Sequence, residues 1–142
     1  KYTGTDGLSI LEAADDAATA VCGPEWRTPT IEECAEIVDD TKCDWTWTTK
    51  QDSEGNDING YLITSKVAGF EGNSIFLPAA GVNLGTGVPF GSSGNFTLYW
   101  SSSLDPTAPR TIPYLYGSAT QHICSGEARF RGMPVRPVQE KE

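Results

Sequence analysis

The apolar residues near the start of the chain recur with the period of a helix. They lie three or four positions apart, at Leu11, Ala14, Ala18 and Val21. Acidic residues are concentrated at the beginning of this segment, where the positive end of a helix dipole favours them. We therefore predict a first helix that begins after Ser9.

A second helix has a clearer start signal. Thr30 and Glu33 have the spacing of a capping box, in which each side chain bonds the backbone N–H of the other residue. The apolar positions that follow share one face of a helix, at Ile31, Cys34, Ile37 and Val38. The pattern predicts a helix that runs to about Asp39.

The hydrophobic period then changes to two, which is the period of a strand. Trp45 and Trp47 alternate with polar residues, and extended structure resumes at Tyr61-Leu62-Ile63-Thr64. Between them lies a polar segment, 51–60, that ends in Asn-Gly and is typical of a turn. Residues 45–64 are therefore expected to form a hairpin with this segment at its tip.

Short apolar or alternating runs predict five further strands, at 75–77, 98–102, 112–116, 123–130 and 133–138. The first of them is closed by Pro78 and is expected to be buried on both faces. Pro113 is expected to place its strand at an edge or a bulge, because proline has no N–H to give to a sheet. The last two strands are expected to pair with each other, turning near Arg131-Gly132.

Between Gly81 and Asn95 the regular pattern stops, and five glycines predict an irregular loop. A long irregular loop in a compact domain usually either binds something or is mobile. The chain has 142 residues, of which 38% are hydrophobic, and fits one domain spanning 1–142.

The charge of the chain excludes several classes of partner. Ten Lys and Arg against 19 Asp and Glu give a net charge of -9, which repels the phosphates of nucleic acids and anionic lipid headgroups. No run approaches the about 18 apolar residues that span a bilayer. We predict no nucleic-acid partner and no membrane insertion by this domain.

The cysteines leave the redox question open. Cys22, Cys34, Cys43 and Cys124 allow three fully paired connectivities, and their spacing does not choose among them. They are compatible with an oxidising compartment. Because these cysteines are widely spaced and the chain has a single histidine, His122, we predict no metal and no cofactor.

Candidate chemistry has simpler explanations in each case. Residues 52–60 have the oxygen density of a calcium loop, but Asp57 stands where an EF-hand requires glycine, so a solvated turn is favoured. The run 101–103 lacks the Gly-x-Ser-x-Gly elbow of a serine nucleophile, and His122 would be its sole base. Glu32 and Glu33 point about 100° apart on a helix, unlike a glycosidase pair. We predict no catalysis.

Four blocks carry a resemblance to a known family: Trp26-Arg27-Thr28-Pro29-Thr30, Ile75-Phe76-Leu77-Pro78-Ala79-Ala80-Gly81, Tyr99-Trp100-Ser101-Ser102 and Gly132-Met133-Pro134-Val135-Arg136-Pro137-Val138. In this order, over roughly residues 8–138, they resemble the Fibrobacter-type major paralogous domain. That family is abundant among surface and secreted proteins of gut-type bacteria. It is similar in fold to C-type lectins and to formylglycine-generating enzymes.

The resemblance implies an α+β, C-type lectin-like fold. Two short helices would pack on a small, twisted, mainly antiparallel sheet with long irregular loops. Members of the family usually carry an upstream segment that supplies the first strand, so we expect this chain to be a fragment of a longer surface protein. We also expect Trp26, Phe76, Trp100 and Val135 to meet in one interior, and Arg27, Arg129 and Arg136 to hold loops to carbonyls or carboxylates.

The function implied is non-catalytic. We expect a ligand-binding or adhesion domain that binds a glycan or a protein through loops 81–95, 104–110 and 118–127. Its expected location is the cell surface, on the outer membrane, or the extracellular space after secretion. The residues expected to bind are Asn83, Phe90, Asn95, Asp105, Gln121 and His122. A purely structural module is the alternative. A second alternative, an oxidase like the formylglycine-generating enzymes, would require Cys124 beside another cysteine in a deep pocket.

Overall fold

Two short helices and eight strands make up the regular structure of the residues that the computed structural model describes, which are 2–83, 85 and 94–139. The helices are α1 (Ala17–Cys22) and α2 (Ile31–Val38). The strands are β1 (Trp26–Arg27), β2 (Cys43–Gln51), β3 (Asp57–Ser65), β4 (Ser74–Pro78), β5 (Phe96–Trp100), β6 (Thr111–Ser118), β7 (Gln121–Ala128) and β8 (Val138–Gln139).

Every strand pair in the described residues is antiparallel. The strands form a first sheet with the order β2-β3-β4, a second sheet with the order β5-β6-β7, and a two-stranded ribbon of β1 and β8. The chain is therefore α+β with two short helices, as predicted. The single small sheet that was expected is divided into three.

The two helices differ in how well the sequence pattern predicts them. Thr30 and Glu33 form the complete capping box of α2, and this prediction is confirmed. The first helix is shorter than predicted, because the buried carboxylate of Asp16 caps its start at Ala17. That carboxylate accepts from Ala18 N at 2.9 Å, and from Thr28 N at 2.7 Å and Thr28 Oγ1 at 2.6 Å. The prediction is thus wrong for the residues before Asp16.

The predicted hairpin is confirmed as β2 and β3, but its turn comes earlier than expected. Asp52 accepts from the backbone N–H of Glu54 at 2.8 Å and of Asn56 at 2.9 Å, and Gly55 has φ +86°. These groups complete the turn before Asn-Gly at 59–60 is reached. Gly60 lies within β3, where an added Cβ would stand 2.3 Å from the carbonyl oxygen of Leu77 on β4.

Two predictions about proline-marked strands are wrong. The first concerns β4, which is an edge strand: Leu77 is 1% exposed, but Ile75 is 38% exposed. The second concerns Pro113, which lies in the central strand of its sheet. The Pro113 carbonyl accepts from Ser101 N, so the Pro113 nitrogen also faces Ser101. Because Ser101 lies just beyond Trp100, the last residue of β5, the missing N–H removes no hydrogen bond from within that strand pair.

The predicted pairing of the last two strands is also wrong. β7 pairs with β6, through a tight turn between Ser118 and Gln121, and the segment 118–127 is mostly strand instead of loop. Val138 pairs with Arg27 in the β1–β8 ribbon. The hairpin of β6 and β7 joins strands that are adjacent in the chain, and it leaves the C-terminal segment to reach β1.

Among the described residues, two clusters of buried side chains form the core. The larger cluster is shared by α2 and the facing sides of the two sheets, and contains Cys34, Cys43, Tyr61, Ile63, Leu77, Tyr99 and Leu115. The smaller cluster lies on the opposite face of the second sheet and contains Val82, Leu98 and Tyr114. The second sheet is therefore covered on both faces.

The four residues expected to meet in one interior do not do so. Trp100 packs on the smaller cluster, whereas Trp26, Phe76 and Val135 belong to neither cluster. Phe76 lies on the outer face of the first sheet, where its ring covers Gly60 and has the ammonium of Lys50 5.3 Å from its centroid. The expectation is wrong because strand alternation turns Phe76 away from its buried neighbour Leu77.

Tyr61 joins the two sheets. Its ring packs edge-on against Trp45 and Trp47 of its own sheet, at centroid distances of 4.7 and 5.1 Å. Its hydroxyl donates to the carbonyl of Ser118 on β6. The ring approaches so closely because residue 117 is glycine: an added Cβ there would stand 2.9 Å from the Tyr61 ring and 2.8 Å from Thr97 Oγ1.

We predict that Gly117→Ala destabilises the protein, because the new methyl group has no room between Tyr61 and Thr97. The expected loss in the free energy of unfolding, measured by urea denaturation, is about 1–3 kcal/mol. Gly126→Ala is the matched control, since it also lies in a strand and an added Cβ there meets nothing within 4 Å. An equal loss in both variants would contradict the close packing at Gly117.

Candidate binding groove

Two adjoining apolar cavities run between α2 and β4, and we call them together the β4 groove. The upper cavity has a volume of about 380 Å³ and is lined by Glu36, Ile37, Lys42, Cys43, Ile63, Ser65, Val67, Phe70, Asn73, Ser74 and Ile75. The lower cavity has a volume of about 250 Å³ and is lined by Pro29, Glu33, Cys34, Glu36, Ile37, Ile75, Leu77, Tyr99, Leu115, Arg136 and Val138. They share Glu36, Ile37 and Ile75, so the two cavities adjoin at these residues.

The helix α2 forms one wall of the groove, and side chains from β1 and β2 hold its two ends in place. Arg27 on β1 donates two hydrogen bonds to the Glu33 carboxylate, Nη1 to Oε2 at 2.7 Å and Nη2 to Oε1 at 2.6 Å. At the other end of the helix, the Trp45 indole N–H donates to the Ile37 carbonyl at 2.5 Å. These contacts hold both ends of the wall.

The segment 66–73 forms the outer rim of the upper cavity. It closes on itself through Ser65 N to Asn73 O at 2.8 Å and Gly72 N to Ser65 O at 3.0 Å. Gly69 and Gly72 have φ of +84° and +81°, which favours glycine. The turn brings two apolar side chains to the surface, with Val67 42% and Phe70 53% exposed.

The floor of the groove is the outer edge of β4. The bonds Ala79 N to Asn59 O and Ser65 N to Asn73 O show that the odd-numbered residues of this segment face β3. The backbone groups of Ser74 and Phe76 therefore point away from β3, and among the described residues no other strand pairs with them. Further along, the Tyr99 hydroxyl donates to the Pro78 carbonyl at 3.0 Å. The groove thus has a short stretch of unpaired backbone beside apolar side chains.

The groove has a charged pair at its rim and two buried thiols, Cys34 and Cys43, in its lining. Lys42 and Glu36 pair at 3.2 Å at its mouth. Burial raises the pKa of the Cys34 thiol to about 12, and the nearby Cys124 adds to the shift. Burial also raises the pKa of Cys43. Since thiolate is the reactive form of cysteine, these thiols favour a packing role over a nucleophilic one.

The residues predicted to bind are dispersed. Asn95 and Gln121 are exposed at the same end of the second sheet, because β5 begins at Phe96 opposite Ser118. Asp105 lies at the other end, where its carboxylate accepts from Thr107 N at 2.8 Å and Oγ1 at 2.6 Å. The described part of the chain therefore does not bring these three together.

Two further predicted residues are held by neighbours, and one lies outside the description. Asn83 pairs with Gly132 through backbone bonds of 2.7 and 2.9 Å. His122 is a strand residue of β7, not a loop residue. Its ring stacks on Trp45 at 4.6 Å, with Nε2 2.9 Å from Asp40 Oδ1. Phe90, like the rest of 86–93, lies outside the described residues.

The groove residues were missed by sequence reasoning. None of the five described residues that the sequence singled out for binding lines it. The signal that was available is the segment 66–73, where Val67 and Phe70 stand among turn-forming glycines. Apolar residues at such positions cannot enter the core and instead mark an exposed patch.

Another cavity, of about 430 Å³, lies beside Trp26, and its lining is more polar than that of the β4 groove. It contains the aromatic, carboxylate and guanidinium groups that sugar binding uses, from Trp26, Asp16 and Arg27. However, Asp16 is occupied by Ala18 and Thr28, and Arg27 by Glu33. Both charged groups are thus committed within the fold.

The expectations for the arginines are met at two positions. Arg27 binds the Glu33 carboxylate, and Arg129 donates to the carbonyls of Tyr2 and Pro109, both at 2.7 Å. Arg136 is exposed and lines the lower cavity of the β4 groove. The four tryptophans, at 26, 45, 47 and 100, are half-buried.

Comparison with known protein families, with curated proteins and with solved structures gives no match for this chain. The resemblance stated above therefore rests on its sequence blocks. Among the described residues, no helix has the length and apolar character that a membrane span requires. The same residues contain no cluster of three or more side chains suited to holding a metal ion.

We predict that Glu33 stabilises the protein in a pH-dependent manner. The Arg27 side chain, helped by Thr30 and opposed by burial, holds the Glu33 pKa below its usual value of 4.5. A lowered carboxylate pKa contributes stability above 4.5 that is lost as the pH falls through the lowered value. Because the side chain is 41% exposed, the expected loss in Glu33→Gln at pH 7 is only about 1 kcal/mol.

The measurement is the free energy of unfolding of both proteins from pH 7 to pH 3. The difference between them should shrink as the pH falls below 4.5. Glu54→Gln, in the exposed turn between β2 and β3, is the control and should follow the native protein at each pH. A Glu33 difference that stays constant over this range would contradict the assignment.

Proposed function

We propose that this chain is a non-catalytic protein-binding domain, and that the β4 groove receives an extended segment of a partner protein. The observation that carries the proposal is the pair of adjoining, mainly apolar cavities beside the unpaired edge of β4. An extended peptide can add to such an edge by backbone hydrogen bonds while its side chains enter adjacent pockets. The groove offers both elements in one place.

The lining favours a protein partner over a glycan. The lining of the upper cavity is mainly apolar, with Ile37, Ile63 and Ile75 inside and Val67 and Phe70 at the rim. Its polar members are Glu36, Lys42, Ser65, Asn73 and Ser74. A sugar needs polar groups that face its hydroxyls, whereas an apolar cavity of 380 Å³ accommodates a side chain such as Leu or Phe. An apolar anchor buried in a pocket is also the usual energetic centre of a protein interface.

Charge favours a cationic partner segment. The chain has a net charge of -9, which raises the encounter rate with positively charged proteins and repels acidic ones. The expected segment therefore has an apolar anchor with lysine or arginine nearby.

The location outside the cell is supported by the four sequence blocks and by their resemblance to secreted and surface-displayed bacterial proteins. The dispersal of Trp26, Phe76 and Val135 counts against the finer C-type lectin-like assignment. Protein binding at the β4 groove does not depend on that assignment. Non-catalysis is supported by the raised pKa of the two groove thiols, Cys34 and Cys43.

We predict that Ile75→Lys weakens dye and peptide binding in the groove, because a charged side chain then lies where the two cavities meet. The first probe is N-phenyl-1-naphthylamine, a neutral dye whose fluorescence rises in apolar sites. The second is a library of random peptides displayed on phage and selected on the immobilised chain. The affinity of selected peptides should fall at least about tenfold, or ~1.4 kcal/mol.

Val21→Lys is the matched control, because Val21 is 84% exposed on α1 and does not line the groove. It should leave dye and peptide binding unchanged, with both variants retaining the native circular dichroism spectrum. Equal binding by the two variants would overturn the groove assignment. Saturable binding on a glycan array, lost on substitution of Asn83 or His122 but not of Ile75, would instead support sugar binding through loops. Absence of any saturable ligand would support the structural module.

A further inference from the structure

The C-terminal end of α2 lies over the beginning of β7. Asp40, two residues beyond the helix, contacts His122 Nε2 at 2.9 Å. The carbonyl of Ile37 accepts from the Trp45 indole, and Trp45 in turn stacks on His122 with an interplanar angle of 4°. The chain from Ile37 to Asp40 therefore lies close to His122 of β7.

The helix runs antiparallel to β7. Its first residue, Ile31, donates its N–H to Ser103 Oγ at 2.9 Å. Ser103 follows the end of β5, and the strand register places that end of the second sheet beside Tyr114 and Ser125. The N-terminal end of α2 is thus near the second half of β7.

These two facts bring Cys34 and Cys124 to the same level. Cys34 is about one turn, or ~5.4 Å, before the Ile37–Val38 end of the helix. Cys124 is two residues after His122, which is about 6.8 Å along the strand and on the same face. Both cysteines therefore lie on the same side of the Asp40–His122 contact, Cys34 six residues before Asp40 and Cys124 two residues after His122.

Packing gives the same result independently. Cys34 is 3% exposed in the larger core cluster, and Cys124 packs against that cluster. Cys124 stands opposite Leu115, another member of the cluster, in the register of β6 and β7. Burial first, and the proximity of Cys124 second, raise the pKa of Cys34. The pKa of Cys43 is raised by burial and influenced by the charges of Lys66, Asp39, Asp44 and Lys42, and neither Cys34 nor Cys124 contributes to it.

We propose that Cys34 and Cys124 form a disulfide bond that joins α2 to β7 when the protein folds in an oxidising environment. None of the four cysteines is disulfide-bonded in the structure. This pairing is one that the spacing of the cysteines in the sequence does not select. The proposal is independent of the proposed function.

The reaction balances with a disulfide such as oxidised glutathione as the oxidant. The half-exposed Cys124, as thiolate, attacks one glutathione sulfur and releases the first glutathione thiolate. Cys34 then loses its proton and attacks the Cys124 sulfur, which releases the second. The two cysteine sulfurs are oxidised, one glutathione disulfide is reduced, and the two protons go to the glutathione thiols.

The test uses the full chain refolded from urea in a glutathione redox buffer, so that both thiols are accessible during oxidation. Free thiols are then trapped with iodoacetamide and the protein is digested with trypsin without reduction. Cleavage after Lys and Arg places each cysteine on its own peptide: Cys22 on 2–27, Cys34 on 28–42, Cys43 on 43–50 and Cys124 on 111–129. We expect 28–42 linked to 111–129, two hydrogen masses below their sum.

Thermal unfolding provides a second measurement. The oxidised protein should melt at least about 5 °C above the same sample reduced with dithiothreitol. Cys124→Ser should abolish this difference, while Cys22→Ser, at an exposed position on α1, should retain it. The proposal is overturned if 28–42 and 111–129 are recovered separately and alkylated, or if 28–42 is linked to 43–50.

Discussion

The close approach of Tyr61 to Gly117 is the constraint on which the rest of the structure depends. Each sheet has only three strands, which is the minimum for independent stability, and the two sheets share one core. Tyr61 is 4% exposed and makes that connection, with its ring on the bare backbone of β6 and its hydroxyl on the Ser118 carbonyl. Once the sheets are joined there, Trp45 is placed to stack on His122, and α2 has an aromatic surface on which to rest.

The same junction explains why a groove exists. The first and second sheets meet at Tyr61 and again where the Tyr99 hydroxyl bonds the Pro78 carbonyl, at the end of β4. Towards Ser74 no described strand continues the sheet beyond β4, and the side chains of α2 cover this region without filling it. The apolar groove is thus a consequence of how the two small sheets are joined. The helix α2 packs on both sheets, but with only eight residues it leaves part of the apolar surface beside β4 uncovered.

Local signals in the sequence predicted the local structure well. The capping box of Thr30 and Glu33 and the alternating tryptophans of β2 depend on near neighbours in the chain, and both predictions are confirmed. The misplaced start of α1 depends on Thr28, which is 12 positions from Asp16, and the partner of β8 is the distant β1. Such long-range contacts leave no periodic signal. The groove was missed because most of its lining comes from separated segments, and Val67 and Phe70 in the turn 66–73 were its local signal.

The exposed edge of β4 is partly blocked, which favours binding of particular partner segments over pairing with any free strand. Exposed sheet edges invite aggregation, and proteins often blunt them with proline or with charge. Here Pro78 supplies no N–H and its carbonyl is already bound by Tyr99, while Lys42 and Glu36 stand at the mouth of the groove. Only the backbone of Ser74 and Phe76 remains to pair with an incoming strand. On the proposed function, a segment bound here would gain most of its affinity from an apolar side chain in the cavity beside Ile75 and little from backbone pairing, so that recognition would depend on the sequence of the partner.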